Sequence, residues 1–267
     1  MKFVIKILTE QFLNIALIFR MCIYDLKGKY QMHYLGLLWE VITPAFKVLI
    51  YWFIFGLGIR NGEPVNGTPY IVWLLIGLIP WFFISPSVIQ GTNSIYAKIN
   101  LVSKMKFPVS VLPTISIFSN ALNFLIMLAF LGVVLLINQI NPGIYLLQFP
   151  YYLLCLFVFL FSCVLLGSTI SIIIRDFQIM LQSGMRLLFF FTPVLWEPSN
   201  LDKVYQTILK LNPFNYLIEG FRTTFLGQEW FFYDWVYTLY FWAITLFILF
   251  IGAFLHIKFR NKFIDYL

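Results

Sequence analysis

Six stretches of the chain are apolar for long enough to suggest membrane-spanning helices. A helix needs roughly 20 apolar residues to cross the roughly 30 Å hydrocarbon core of a bilayer. Polar or proline-containing segments separate the stretches, which are 37–59, 70–89, 109–137, 149–174, 177–193 and 235–257. The pattern predicts an all-α membrane protein with six transmembrane helices.

Before the first span, polar residues recur every four positions, at Lys2, Lys6, Glu10 and Asn14, with apolar residues between them. This spacing is typical of an amphipathic helix. Such a helix lies in the membrane surface or packs on the protein's own spans, and the pattern favours neither. We assign residues 1–34 to an N-terminal cytoplasmic interface helix and 35–267 to the six-span domain.

The segment between the fifth and sixth spans is too short to cross the membrane and too apolar for a solvated loop. Asn212 and Pro213 are a good helix start, with Asn as the N-cap and Pro in the first turn, and Gly227 is a plausible stop. Residues 202–211 form a second candidate helix. We therefore expect a pair of outer re-entrant helices within 198–227, covered by protein wherever the backbone is irregular.

Composition agrees with a membrane protein, since 61% of residues are hydrophobic, 11% are charged and the mean hydropathy is +0.88. Twelve Lys and Arg residues flank the spans on one side and four on the other. The positive-inside rule then places both termini in the cytoplasm. The net charge of +7 is explained by topology and anionic lipids, so nucleic acid is not an expected partner.

The sequence contains no phosphate-binding G-x-x-x-x-G-K-[ST] loop, no metal-binding H-E-x-x-H motif and no nucleophile elbow. We expect no catalysis, metal or cofactor of its own. Glu197, Asp202 and Glu219 leave a membrane hydrolase or glycosyltransferase open. Solvated charges at helix ends explain these carboxylates more simply.

Charges inside the spans are informative, because each is costly at the membrane centre unless it faces protein or water. Glu40 and Lys47 are seven residues apart, hence on nearly one helix face. Lys47 and Arg186 lie at similar depths in the first and fifth spans. One hypothesis is that these charges line a path for a negatively charged head group. The alternative is that they pair with each other for stability.

Aromatic residues make up 20% of the chain and cluster on the first, second and fifth spans. Many suit the lipid interface, and some could stack on the apolar faces of sugars. The candidate substrate-path residues are Glu40, Lys47, Arg186, Trp39, Tyr51, Trp52, Phe55 and Trp196.

Short motifs along nearly the whole chain resemble those of type-2 ABC exporter permeases of cell-surface polysaccharides. They are Arg20, the run YDLKGKY at 24–30, YLGLLW at 34–39, KFP at 106–108, Arg175-Asp176 and Asn212-Pro213. Within that family, residues 33–60 are most similar to wall teichoic acid translocation permeases. O-antigen and capsule exporters are the nearest competitors.

The resemblance implies a homodimer with two cytoplasmic ATPase subunits, which bind the ATP and Mg²⁺. The complex would move an undecaprenyl-pyrophosphate-linked polymer, here wall teichoic acid, to the outer face of the bacterial plasma membrane. The resemblance also implies a coupling helix at 95–108, a basic cytoplasmic segment that on its own could equally be a membrane-surface stretch. The implied ATPase contacts are Tyr96, Lys98, Lys104, Lys106, Phe107, Pro108, Arg175 and Asp176. Arg20, Lys27 and Lys29 are candidates for head-group entry, although plain topology signals look the same.

Three rival functions remain on the sequence alone. A secondary carrier needs ion-binding carboxylates at the midplane, and Glu40, the only candidate, lies near one end of its span. An integral membrane enzyme would use the outer carboxylates. A type-2 exporter of drugs or small lipids shares the same span count and energy source.

Overall fold

Every regular element in the described part of the chain is a helix, apart from an isolated backbone bridge between Val65 and Thr68. The structure is a computed structural model that describes residues 2–30, 34–59, 63–98, 108–260 and Phe263. It describes the backbone alone at Lys29, Tyr30, Leu37, Glu40, Gly56, Ile59 and Asn200. The prediction of an all-α protein is confirmed.

The α-helices are numbered in chain order. They are α1 (Lys2–Leu13), α2 (Ile15–Tyr30), α3 (Trp39–Tyr51), α4 (Tyr70–Thr92), α5 (Ser94–Ala97), α6 (Val111–Ile137), α7 (Phe149–Ile173), α8 (Phe177–Phe191), α9 (Lys203–Lys210), α10 (Pro213–Phe225) and α11 (Trp235–Phe259). Helix α3 continues directly into a π-helical segment, Trp52–Ile59, and a 3-10 turn, Gly143–Gln148, leads into α7.

Four helical segments of the described chain are long and apolar enough to span a membrane. They are Tyr70–Thr92, Val111–Ile137, Gly143–Ile173 and Trp235–Phe259, and they match the second, third, fourth and sixth predicted spans. Pro80 and Pro86 predict a bend or a break near the inner half of the second span, and the structure shows that helix α4 continues through both prolines without a break.

The first and fifth predicted spans correspond to shorter apolar helices, Val41–Phe55 and Phe177–Phe191. The 15 residues of Phe177–Phe191 reach only about 22 Å, less than the hydrocarbon core, whereas Val41–Phe55 is part of a longer helical stretch, Trp39–Tyr51 continued by Trp52–Ile59. Polar side chains interrupt both segments, notably Lys47 and Arg186, and Pro193 follows the end of α8. A total of six spans is therefore not established by these helices.

Helix α4 forms the centre of the bundle. Of its most apolar stretch, 78% of residues are buried, against 33% for α6 and 28% for α11. It packs against α6, α7, α8 and α10, while α11 packs on the other side of α7. Since α4 has few lipid-exposed positions, its neighbours supply the outer surface of the described chain.

The N-terminal segment is two helices that join at Asn14, and they pack on the protein's own spans, α1 on α11 and α2 on α6. Glu10 accepts hydrogen bonds from Arg260 at 2.8 Å and from Ser110 at 2.6 Å. Ile7 is fully buried in this contact, whereas Phe12 on the outer face is 74% exposed. One face of the amphipathic segment is thus covered by protein and the other is left for lipid or a partner.

Helix α10 begins and ends as the sequence predicts. The side-chain oxygen of Asn212 accepts a hydrogen bond from the backbone N–H of Phe214, and Pro213 occupies the first helical position. Gly227, just after the helix, has a φ of +65° that favours glycine. Neither α9 nor α10 is long enough to cross a bilayer.

The packing of α10 on α7 predicts a steric penalty at Gly220. A Cβ added there would overlap the ring of Tyr152, whereas one at Gly132 on α6 meets open space. We expect Gly220→Ala to lower the free energy of unfolding by about 1–3 kcal/mol. The control Gly132→Ala should leave it unchanged or raise it by up to about 1 kcal/mol. Thermal unfolding of the purified chain in detergent measures both, and equal midpoints would contradict this packing.

Candidate functional site

An open groove of about 860 Å³ lies between α3, α4 and α8, with Asn123 of α6 at one edge. Two cations, Lys47 and Arg186, reach it from opposite helices. Lys47 and Arg186, which the sequence predicts at similar depths in the membrane, thus line the same groove. The other residues that line the groove are Trp39, Thr43, Pro44, Tyr51, Trp81, Phe82, Ser85, Pro86, Ile89, Gln90, Met185, Phe189 and Phe190.

The described contacts of Lys47 and Arg186 are with an aromatic ring and with neutral oxygen atoms. The ammonium of Lys47 lies 5.5 Å from the centre of the Phe82 ring. Arg186 donates to the backbone oxygen of Gln182 at 3.3 Å and to the Ser183 hydroxyl at 3.4 Å. Neither cation forms an ion pair with a carboxylate whose side chain the structure describes. The Glu40 side chain is outside the description, so pairing between Glu40 and Lys47 stays a prediction.

Aromatic rings form much of the groove wall. Tyr51 packs on Phe189 with ring centres 5.4 Å apart, and Trp81 lies 5.6 Å from the same ring. Trp39 lines the groove as well. The groove thus combines flat apolar surfaces with two cations, a combination suited to a ligand with both sugar rings and an anionic group.

Three aromatic residues predicted for the path lie elsewhere. Trp52 and Phe55 are partly buried against the main core. Trp196 lines a neighbouring apolar pocket and donates its indole N–H to the backbone oxygen of Phe190 at 3.0 Å. The structure therefore does not bring these three side chains into the groove.

Sequence reasoning missed the polar side chains that α4 and α6 contribute to the groove, including Ser85, Gln90 and Asn123. Gln90 accepts a hydrogen bond from Asn120, and the Asn123 side-chain oxygen is buried without a partner among the described residues. Polar residues inside apolar spans usually face protein or a cavity. Their positions in the sequence could therefore have indicated that these residues line a groove.

Of the residues expected at the head-group entry and at the ATPase contact, those that the structure describes are spread over one end of the bundle. Arg20 and Lys27 are exposed on α2 and do not line the groove. Lys98, just after α5, pairs with Asp25 of α2. Lys104, Lys106 and Phe107 lie outside the described residues, as does the side chain of Lys29.

The described residues of the expected ATPase contact lie at the same end of the bundle as α5. Helix α5 follows the end of α4 and packs against α7, and the exposed pair Arg175 and Asp176 follows the end of α7. Tyr96 on α5 is 45% exposed, and Pro108 is the first described residue before α6. The placement of these residues is compatible with one docking surface.

At the opposite end, a buried arginine connects α10 to the segment between α8 and α9. Arg222 is 2% exposed and donates to the backbone oxygens of Pro193 at 2.7 Å and Val194 at 2.9 Å. It also pairs with Glu219 at 2.9 Å and lies 3.6 Å from the centre of the Trp73 ring. Burial lowers the pKa of the guanidinium, and Glu219 partly offsets that effect.

In the sequence, Arg222 is one of the four Lys and Arg residues that flank the spans on the side with fewer cations. Its spacing from Glu219, three residues along a helix, was the signal that could have suggested an internal pair. Because Arg222 bonds two carbonyls outside regular helix, it satisfies polar backbone that would otherwise be buried without a donor.

Comparisons with known proteins agree in pointing to one kind of membrane protein. The family model described as "ABC-2 type transporter" matches residues 16–226, about four fifths of the chain. The O-antigen export system permease protein RfbA of Klebsiella pneumoniae is 29% identical over 237 residues, 88% of this chain and 90% of that protein. The protein of the same name from Myxococcus xanthus is 28% identical over 223 residues, 83% of this chain and 84% of that protein.

The geometry at Arg222 predicts that lysine cannot replace it. One ammonium group cannot bond both carbonyls, pair with Glu219 and stack on Trp73 at once. We expect Arg222→Lys to reduce the free energy of unfolding by about 3 kcal/mol or more. The matched control Arg175→Lys changes an exposed arginine and should have no measurable effect. A midpoint for Arg222→Lys equal to that of the unaltered chain would rule out the bonding role.

Proposed function

Because the chain belongs to the ABC-2 type transporter family, we propose that it is the permease subunit of an ATP-driven exporter of lipid-linked cell-surface polysaccharide. The observation that carries this proposal is its similarity, over 88% of its length, to a permease named for O-antigen export. The permease provides the passage, and hydrolysis takes place in a separate subunit. The absence of a phosphate-binding loop from the sequence supports that division.

The proposed cargo is a polysaccharide of the O-antigen type. Wall teichoic acid was the first expectation from residues 33–60, but the relatives are named for O-antigen export and give teichoic acid no support. The cargo is proposed to be held by an undecaprenyl pyrophosphate anchor and moved from the cytoplasmic to the outer face of the plasma membrane.

The groove supports a role for Lys47 and Arg186 in accepting the anionic anchor. A pyrophosphate needs charge-assisted donors when it leaves water, and the groove supplies two cations at one surface. Among the aromatic residues that line the groove, Trp39 and Phe190 are 41% and 61% exposed and offer surface on which sugar rings can stack. A groove with these two properties suits a ligand that joins a charged anchor to a hydroxylated polymer.

The orientation and assembly belong to the same proposal. The excess of Lys and Arg on one side supports a cytoplasmic location for both termini and for the end of the bundle that holds α5 and Arg175. Two ATPase subunits would dock there on a homodimer of the chain, with residues 95–108 as the coupling segment and 198–227 as the outer re-entrant pair.

The proposal is tested by purifying the chain from its native membrane, identifying the ATPase subunit that copurifies, and reconstituting both in proteoliposomes. We expect the ATPase to copurify, and its turnover to rise with an undecaprenyl-linked O-antigen glycan but not with undecaprenyl-linked poly(glycerol phosphate). Stimulation by the latter alone would restore the teichoic acid assignment. Stimulation only by small drugs or lipids, or ATP hydrolysis by the chain alone, would overturn the proposal.

The role of the groove cations gives a separate prediction. We expect Lys47→Gln and Arg186→Gln each to reduce export about tenfold or more, because each removes a charged donor worth more than 1 kcal/mol in a desolvated site. Lys47→Arg should retain export. Lys203→Gln, an exposed lysine on α9, is the matched control.

A charge exchange separates a path from an internal pair. If pairing of Glu40 with Lys47 were the only requirement, the double variant Glu40→Lys and Lys47→Glu would keep export near the unaltered level. We expect it to lose export, since the groove needs a cation at position 47. Retained export by the exchanged protein would refute the path role.

A further inference from the structure

The two N-terminal helices contact residues on both sides of the stretch that joins α5 to α6. Residues 99–107 of that stretch lie outside the described part of the chain. Lys98 is the last described residue before them, and Pro108 is the first described residue after them. Helix α2 contacts the Lys98 side, and helix α1 contacts the start of α6 just after Pro108. Both flanks of the stretch are thus attached to the same part of the chain.

On the first flank, an ion pair joins α2 to the residue that follows α5. The ammonium group of Lys98 donates to the carboxylate of Asp25. The side chains of Lys98 and Asp25 are 21% and 33% exposed, so the pair is partly shielded from water. Partial shielding makes a charge-assisted hydrogen bond stronger than a fully solvated ion pair. Asp25 therefore fixes the point at which the chain leaves α5.

On the second flank, three polar contacts join the end of α1 to the start of α6. The Ser110 hydroxyl donates to the Glu10 carboxylate at 2.6 Å, and the Ser110 backbone oxygen accepts from the Gln11 amide at 2.8 Å. The Thr114 hydroxyl donates to the Gln11 side-chain oxygen at 2.8 Å. Ser110 is 1% exposed and is held through both its side chain and its backbone.

A small hydrophobic cluster, distinct from the main core, joins the same helices. Its buried members are Ile18 and Cys22 of α2, Ile95 of α5, Val111, Leu112 and Ile115 of α6, Ile172 of α7 and Phe263. Close-packed side chains have low compressibility and transmit a displacement to their neighbours. Helix α2, helix α5 and the start of α6 therefore form one packed unit, with the polar contacts of Asp25 and Ser110 added to it.

We infer that α1 and α2 position both flanks of the proposed coupling segment, so that α2 shifts together with α5 and the start of α6 when the ATPase changes its nucleotide state. Asp25 is the positioning residue on the Lys98 side, and Glu10 and Gln11 are the positioning residues on the Ser110 side. The inference rests on the proposed function, because it takes residues 95–108 as the ATPase contact. It adds that the N-terminal helices belong to the unit that transmits the work of ATP hydrolysis.

The test is amide hydrogen–deuterium exchange of the full chain in complex with the ATPase subunit that copurifies with it, in lipid nanodiscs. The complex is compared with ADP and with ATP plus orthovanadate, which traps the ATPase with bound nucleotide. We expect exchange in α2 to change between the two states, together with exchange in α5 and the first turn of α6. The assay contains no polymer, so its outcome does not depend on the identity of the cargo.

Substitutions at Asp25 separate transmission from folding. Asp25→Asn removes the charge at nearly constant size and should reduce the nucleotide-dependent change in α2 about threefold or more. The change in α5, the basal ATP hydrolysis of the complex and the thermal midpoint should stay as in the unaltered protein. Asp25→Glu keeps the charge and should retain the α2 response.

A charge exchange and a control complete the experiment. The double variant Asp25→Lys and Lys98→Asp should recover the α2 response relative to either single variant, because the ion pair is formed again with its charges reversed. Lys6→Gln neutralises an exposed residue of α1 and should respond as the unaltered chain does.

Three results would overturn the inference: no nucleotide-dependent change in α2 of the unaltered complex, an unchanged α2 response in Asp25→Asn, or a double variant no better than the single ones. A parallel loss of thermal midpoint and basal hydrolysis in Asp25→Asn would also overturn it, since the ion pair would then serve folding alone. Failure of any ATPase subunit to copurify would instead overturn the proposed function, which keeps the two failures distinguishable.

Discussion

The structure depends on how backbone polar groups are satisfied where the chain is not helical. In an apolar environment an unpaired carbonyl costs several kcal/mol, so irregular segments persist only where a donor reaches them. Arg222 supplies that donor for the carbonyls of Pro193 and Val194, and its charge is balanced by Glu219. The same guanidinium stacks on Trp73 of α4. One side chain thereby connects the segment after α8, the central helix α4 and the short helix α10.

Hydrophobic periodicity predicted the helices well where the chain is uniformly apolar and less well where it carries polar groups. The second, third, fourth and sixth spans can be predicted from apolar length alone, because lipid-facing and core-facing positions both favour apolar side chains. Helix α8 is shorter than a span, and the polar residues within α3 and α8 include Lys47 and Arg186, which line the groove. Proline was a weaker guide: α4 keeps its helix through Pro80 and Pro86, since neighbouring helices enclose it.

The candidate site was predictable in part. Depth along a helix follows from residue number, so Lys47 and Arg186 could be matched before the structure was known. The direction in which an aromatic ring faces is set by packing and cannot be derived from composition. Two of the predicted aromatic residues, Trp39 and Tyr51, line the groove. The other three, Trp52, Phe55 and Trp196, pack elsewhere. Counting charges for topology treats each one as solvated. A charge count therefore does not predict that Arg222 is buried, although its i, i+3 spacing from Glu219 can be read in the sequence.

The contact between the two ends of the chain has a consequence for biogenesis. Glu10, on the first helix, accepts a hydrogen bond from Arg260, which a ribosome adds 250 residues later. Until then the carboxylate has the Ser110 hydroxyl but lacks its cation. Helix α1 can therefore form its full set of contacts only after α11 has been inserted. A polypeptide released early, without α11, would leave the apolar face around Ile7 uncovered, a feature that membrane quality-control proteases can detect.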